Sequence, residues 1–264
     1  VLPQQHLIER VGSLCRADER LVAALTYGSF AQGEGDAYSD IEFWLFHGDR
    51  AVDPHTWISG VGDVRHVVVN EFGAHVAFFP GPVRGEFHFA PATAIETVRT
   101  WPARGADTDR MIVLDRTGGL RRALDSLPRH TRVPGTAEEI DEVCGRFVNW
   151  LLLAHHVSRR GELMRALDAL THAQRHLLWM ARLVSGSTRR WLTPSRAAES
   201  DLPPFLVAAV HEATATADAA SIDRAVAAAW THGRAWWIQL ADRSGRPVPA
   251  GLFADIDACV PMTP

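Results

Sequence analysis

Tyr27-Gly28-Ser29-Phe30-Ala31-Gln32-Gly33-Glu34-Gly35-Asp36-Ala37-Tyr38-Ser39-Asp40-Ile41-Glu42-Phe43 lies between two apolar runs. Leu21–Tyr27 is a short apolar run closed by Gly28, the pattern of a buried strand. Asp40–Phe46 reads as a second strand, with a short helix or turn after Gly28-Ser29. In a strand, residues i and i+2 point the same way. Asp40 and Glu42 therefore share one face, while Ile41, Phe43 and Leu45 share the other and pack the core. Two adjacent carboxylates repel each other, and either solvent or a divalent cation relieves that. Mg²⁺ prefers one or two carboxylates plus substrate phosphates. Gly28-Ser29 supplies the complementary half. Glycine lets backbone approach a phosphate, helix-start N–H groups favour anions, and the hydroxyl adds a donor. Both halves fall within 15 residues, the layout a nucleoside triphosphate with Mg²⁺ requires.

A third carboxylate should complete the site. The best candidate is Glu86, in Val83-Arg-Gly-Glu-Phe-His-Phe89. Arg84, Glu86 and His88 alternate with Val83, Phe87 and Phe89, which sets a polar face against an apolar one. Glu86 is read as a metal ligand, a general base, or both. His88 is read as a supporting or exposed histidine rather than a substrate contact.

Around this centre the first 130 residues alternate helix and strand patterns. Residues 5–16 carry a helical apolar stripe, and Asp53-Pro54 opens a helix. Arg65–Phe72, His75–Phe79 and Val83–Phe89 form a meander through short turns, and Met111–Asp115 is a further strand. The composition shifts near Arg132–Thr136, where Thr136-Ala-Glu-Glu139 resembles a capping box. Helical patterns cover 137–160, 162–184, 203–216 and 219–242, with short breaks that imply antiparallel neighbours in a bundle. The expected class is α+β: a mixed β-sheet domain with helices over 1–133, then an all-α helical bundle over 134–264.

Composition narrows the chemistry. The net charge is −4, and the halves carry 14 Arg against 17 acids and 13 against 14. Neither half is basic, so a nucleic-acid partner is not expected. All 27 basic residues are Arg, which removes the Gly-Lys-Ser/Thr phosphate loop and Schiff-base chemistry. No apolar run approaches the roughly 20 residues that span a bilayer, and the start lacks a secretory pattern. Three scattered cysteines (Cys15, Cys144, Cys259) suggest neither a disulfide framework nor a zinc site, so a cytoplasmic setting is expected. His172 and His176 stand four apart on one helix without a third ligand, and read as core or surface histidines. Nine tryptophans, among them Trp230, Trp236 and Trp237, read mostly as bundle core or dimer interface, with one or two lining an apolar pocket for a bulky acceptor.

Gly28-Ser29, ten intervening residues, then Asp40-Ile-Glu42 resembles the signature of the polymerase-β-like nucleotidyltransferase superfamily. The longer stretches 27–43, 84–89 and Arg159-Arg-Gly-Glu-Leu163 look like the larger, two-domain lincosamide nucleotidyltransferases. The resemblance is dense in the first domain and weak after about residue 185. It implies transfer of AMP from ATP to an antibiotic hydroxyl with release of pyrophosphate. It implies that Asp40 and Glu42 bind Mg²⁺ and that Gly28 and Ser29 hold the β- and γ-phosphates. Glu86 would be the third carboxylate, taking the acceptor proton. It also implies a homodimer with the antibiotic pocket walled partly by the helical domain. The motif positions show no departure, but the absence of Lys means that Arg must make any phosphate contact that Lys makes in relatives. Arg160, at the junction of two helices, is the candidate from the second domain, set against a plain role at a helix C-terminus. The alternatives are an aminoglycoside acceptor, a protein acceptor, or a nucleotide-binding adaptor without catalysis. A near-neutral, aromatic helical domain favours an amphipathic drug over a polycation.

Overall fold

The two apolar runs flanking the quoted segment pair with each other. In a computed structural model, which describes residues 1–260, β1 (Leu21–Thr26) and β2 (Ile41–His47) are antiparallel, with Thr26 opposite Phe43. Chain contacts divide the protein into two compact units, Val1–Arg132 and Val133 onward.

The first unit is built on a six-stranded mixed sheet in the order β3-β4-β5-β2-β1-β6. The meander is present as β3 (His66–Val69), β4 (His75–Phe79) and β5 (Val83–Pro91), antiparallel in succession. β5 then lies parallel to β2, with Ile41 opposite Gly85 and Glu42 opposite Glu86. β6 (Ile112–Asp115) closes the other edge against β1. One face of the sheet buries Ile41, Phe43, Leu45 and Phe87 beneath α1 (Pro3–Ala17) and α3 (Pro54–Ser59). On the other face Ala23, Leu25 and Phe46 pack with Ile95 and Val98 of a 3₁₀ segment (Ala92–Thr100) and with Leu120 and Leu124 of α5 (Gly119–Asp125). Between the strands run α2 (Gly28–Gln32) and α4 (Thr108–Met111). β1 and the later part of β2 thus have apolar cover on both sides, as the centre of a sheet covered on both faces requires. The carboxylate end of β2 and β5 is where polar side chains replace that cover.

Several boundaries differ from the sequence reading, each for a local reason. The first meander strand ends at Val69 because Asn70 Oδ1 accepts the N–H groups of Phe72 (3.1 Å) and Ala74 (2.9 Å), which folds the chain into a turn. Met111 ends α4 rather than opening β6. The 3₁₀ segment and α5 fall where no element was expected.

The second unit is all-α: α6 (Ala137–Arg159), α7 (Leu163–Ser185), α8 (Ala198–Asp201), α9 (Pro204–Glu212), α10 (Ala219–Ser244) and α11 (Ala250–Cys259). The Thr136 capping box is formed: Glu139 N–H donates to Thr136 Oγ1 (3.2 Å), and Glu139 Oε2 accepts the Thr136 N–H (3.2 Å). α9 stops at Glu212, shorter than the helical pattern suggested, and α11 lies beyond the last expected helix. α6, α7 and α10 form the core, in which Trp230, Trp236 and Trp237 are buried. Two indoles keep a polar partner: Trp230 Nε1–H donates to Asp257 (2.7 Å) and Trp237 Nε1–H to Asp141 (3.1 Å). Among the described residues, no helix is long and apolar enough to cross a membrane.

Candidate active site

The loop from α2 to β2 is held from both sides. Gln4 of α1 is buried and its Nε2 donates to the carbonyls of Ala37 (2.9 Å) and Ser39 (3.2 Å). Asp36 Oδ1 accepts from the Tyr38 N–H (2.9 Å) and the Ser39 hydroxyl (2.8 Å), so the loop folds on itself just before Asp40. Asp40 stands one residue before β2, half-buried.

Glu42 and Glu86 occupy paired positions in the parallel ladder. Neighbouring strands run about 4.8 Å apart, so both carboxylates stand side by side on one face. Gly85 permits the pairing from behind: a Cβ there would lie 2.8 Å from the Phe87 ring and 3.1 Å from Ile41 Cγ1. Gly28 opens α2 at φ +71°, a conformation that disfavours any side chain. A Cβ on Gly28 would fall 1.8 Å from Glu42 Oε2, so the Glu42 carboxylate lies directly against the bare glycine backbone. Ser29 follows, half-buried, with its carbonyl accepting from the Glu34 N–H (2.9 Å).

Arg84 joins the acids. Its Nη1 donates to Asp40 Oδ2 and its Nη2 to Glu86 Oε2 (3.0 Å). The other Glu86 oxygen accepts from the Tyr27 hydroxyl (3.4 Å) and lies 3.3 Å from His88 Nε2. Burial, reinforced by Glu86 and Glu42, pushes the Tyr27 phenol well above its ordinary pKa, so it keeps its proton and serves as a donor. Burial lowers the His88 imidazole below its usual range, against the opposing pull of Glu86. The His88 ring is stacked on Trp44, with centroids 4.1 Å apart.

The structure therefore brings Asp40, Glu42, Glu86, Gly28 and Ser29 to one end of the β1–β2–β5 strands. Arg160 is the C-cap residue of α6, exposed, and belongs to the second unit. His172 stacks on Trp150 (4.2 Å), and His176 Nδ1 lies 2.9 Å from the His172 carbonyl. The sequence reading assigned no role to Tyr27 or Arg84. Arg84 was visible only as one member of an alternating polar face, and its contact with Asp40 spans 44 positions.

The three carboxylates are hard oxygen donors, which suits Mg²⁺ better than a thiophilic ion. As the side chains stand, Arg84 bridges two of the acids. Among the described residues, no group of three or more His, Cys, Asp or Glu is gathered closely enough to hold a metal ion. The donor set fits the ion in chemical type, and a guanidinium stands between two of its members.

Residues 136–244 match the protein family described as lincosamide nucleotidyltransferase-like, C-terminal domain. No curated protein matches the chain significantly. Among solved structures, an aminoglycoside 6-adenyltransferase from Bacillus subtilis shares 11% identity over 98% of this chain and 99% of its own, with a TM-score of 0.45. A nucleotidyltransferase-like protein from Exiguobacterium sibiricum shares 12% over 97% and 80%, with a TM-score of 0.39. The Thermotoga maritima CCA-adding enzyme, solved with tRNA, shares 12% over 96% and 71%, with a TM-score of 0.33. Likenesses this loose carry no argument about the reaction.

Proposed function

We propose that the chain is a nucleotidyltransferase of the polymerase-β-like superfamily that transfers AMP from ATP to a hydroxyl of a lincosamide antibiotic, with Mg²⁺. The observation that carries the reaction is the pairing of Glu42 with Glu86 beside Asp40 and against Gly28, in one chain with a lincosamide nucleotidyltransferase-like domain. That domain is what favours a lincosamide among possible acceptors.

Asp40, Glu42 and Glu86 would hold the metal, which when bound neutralises triphosphate charge and polarises the α-phosphoryl group. Gly28 and Ser29 bind the β- and γ-phosphates through backbone N–H and hydroxyl donors. Glu86 accepts the proton of the acceptor hydroxyl. That oxygen then bonds to the α-phosphorus as the bond to the pyrophosphate oxygen breaks, so AMP is transferred and pyrophosphate leaves. Tyr27 and His88 orient Glu86 through one oxygen, so that the proton goes to a carboxylate of fixed geometry.

Incubation with ATP, Mg²⁺ and a panel of lincosamides and aminoglycosides, read by mass spectrometry, tests this. One AMP added to a lincosamide supports the proposal. Modification of aminoglycosides alone replaces the acceptor, and no modification of any drug turns the search to protein hydroxyls. The same preparation, weighed by light scattering, tests the homodimer that the family resemblance implies.

A further inference from the structure

The reaction just described gives Arg84 no part, yet Arg84 ties two of its three acids together. Its guanidinium cannot lose its charge at any ordinary pH. It occupies lone pairs on Asp40 Oδ2 and Glu86 Oε2. A divalent cation that takes those oxygens must first displace it.

The surroundings permit that exchange. The Arg84 side chain is 39% exposed, and Asp40 is 33% exposed. Arg182 in the helical unit shows the opposite design. It is 0% exposed and donates to the carbonyls of Pro194, Ser187 and Arg196 (2.8–3.0 Å), a fixed structural tie. The hydrogen bonds of Arg84 to Asp40 and Glu86 are instead to two carboxylates, at the edge of solvent. Glu86 is less exposed, at 19%, so the Asp40 arm is the weaker of the two and the one that a cation opens first.

We propose that Arg84 is an exchangeable counter-ion, which holds Asp40 and Glu86 together until a divalent cation displaces it. This rests on the reading of Asp40 and Glu86 as metal ligands. Without Arg84, the three neighbouring carboxylates repel, and a divalent cation that relieves the repulsion gains affinity; with it, the charge is already offset and the metal must compete. A triphosphate offers the released guanidinium a new anionic partner. Metal and nucleotide therefore favour each other's binding.

The test is Mn²⁺ binding by electron paramagnetic resonance, in which only the free ion gives the sharp six-line signal. Wild type, Arg84→Gln, Arg84→Lys and the double variant Arg84→Gln/Asp40→Asn are titrated without nucleotide. Arg84→Gln is expected to bind Mn²⁺ roughly five- to tenfold more tightly than wild type, and Asp40→Asn in that background to remove the gain. Equal or weaker binding by a cooperatively melting Arg84→Gln overturns the proposal. If Arg84→Gln does not fold, Arg84→Lys decides: one ammonium cannot span both acids as the guanidinium fork does, so Mn²⁺ should bind a few-fold more tightly, and unchanged affinity overturns the proposal. The underlying metal reading is checked separately with a non-hydrolysable ATP analogue present. If Asp40→Asn then holds Mn²⁺ as well as wild type, that reading falls and takes this one with it. If Asp40→Asn loses Mn²⁺ while Arg84→Gln matches wild type without nucleotide, only the counter-ion role is wrong.

Discussion

Replacing Gly28 by Ala separates two effects that the structure superimposes. The first is backbone: a side chain at φ +71° costs about 1–2 kcal/mol. The second is contact: the new Cβ would sit 1.8 Å from Glu42 Oε2 and 2.4 Å from its Cδ, so the carboxylate must leave its position. Moving a side chain off its preferred rotamer adds about 0.5–1.5 kcal/mol. Urea unfolding should therefore show Gly28→Ala less stable by about 1.5–3.5 kcal/mol. In a Glu42→Ala background the contact disappears, and the cost should drop to the backbone part alone, about 1–2 kcal/mol. Turnover of Gly28→Ala should fall about a hundredfold, because a displacement near 1 Å at a reacting centre is enough for that. If Gly28→Ala costs the same with and without the Glu42 carboxylate, the contact reasoning is refuted.

Asp40→Asn and Glu86→Gln should each abolish AMP transfer while thermal melting stays cooperative; near-normal turnover by Glu86→Gln would show that another group takes the proton. Arg160→Ala should raise the KM for ATP with little change in melting, and an unchanged KM would leave Arg160 as a plain helix-end residue. Asp18, hydrogen-bonded to Arg20, has a carboxyl held below its ordinary value of 3.8. Its contribution is present above that value and lost as pH falls through the lower, folded one, so the melting gap between wild type and Asp18→Asn should be full at pH 7 and close in acid. Thr136→Ala removes the side-chain half of the α6 capping box and should cost about 1 kcal/mol in chemical unfolding.

Periodicity made much of this fold readable. The alternation at Asp40–Phe46 and Val83–Phe89 is local, and the strand faces it assigns are those of the structure: Phe43 and Phe87 inward, Glu42 and Glu86 outward. The Thr136 box is likewise a four-residue signal. The 3₁₀ segment Ala92–Thr100 was invisible because its apolar residues, Ile95 and Val98, are held by tertiary packing rather than by a helical stripe. Within the candidate site, the acids stood out because neighbouring like charges on a half-apolar strand demand a reason. The contact between Glu42 and the Gly28 backbone and the Arg84 bridge could not be read. Both depend on rotamers and on strand pairing between distant segments. A sequence shows that Arg84 and Glu86 share a face, but it does not show that β2 lies beside β5.

That parallel pairing also sets when the site can exist during folding. β5 docks on β2 only after the chain between them, which carries α3, β3 and β4, has closed a long loop. Contacts between distant segments form late and slowly. On dilution from denaturant, helical signal from the second unit should return first. The end of the sheet that carries the three carboxylates is among the last parts to be assembled, and a chain stalled before that step has its helices without its candidate site.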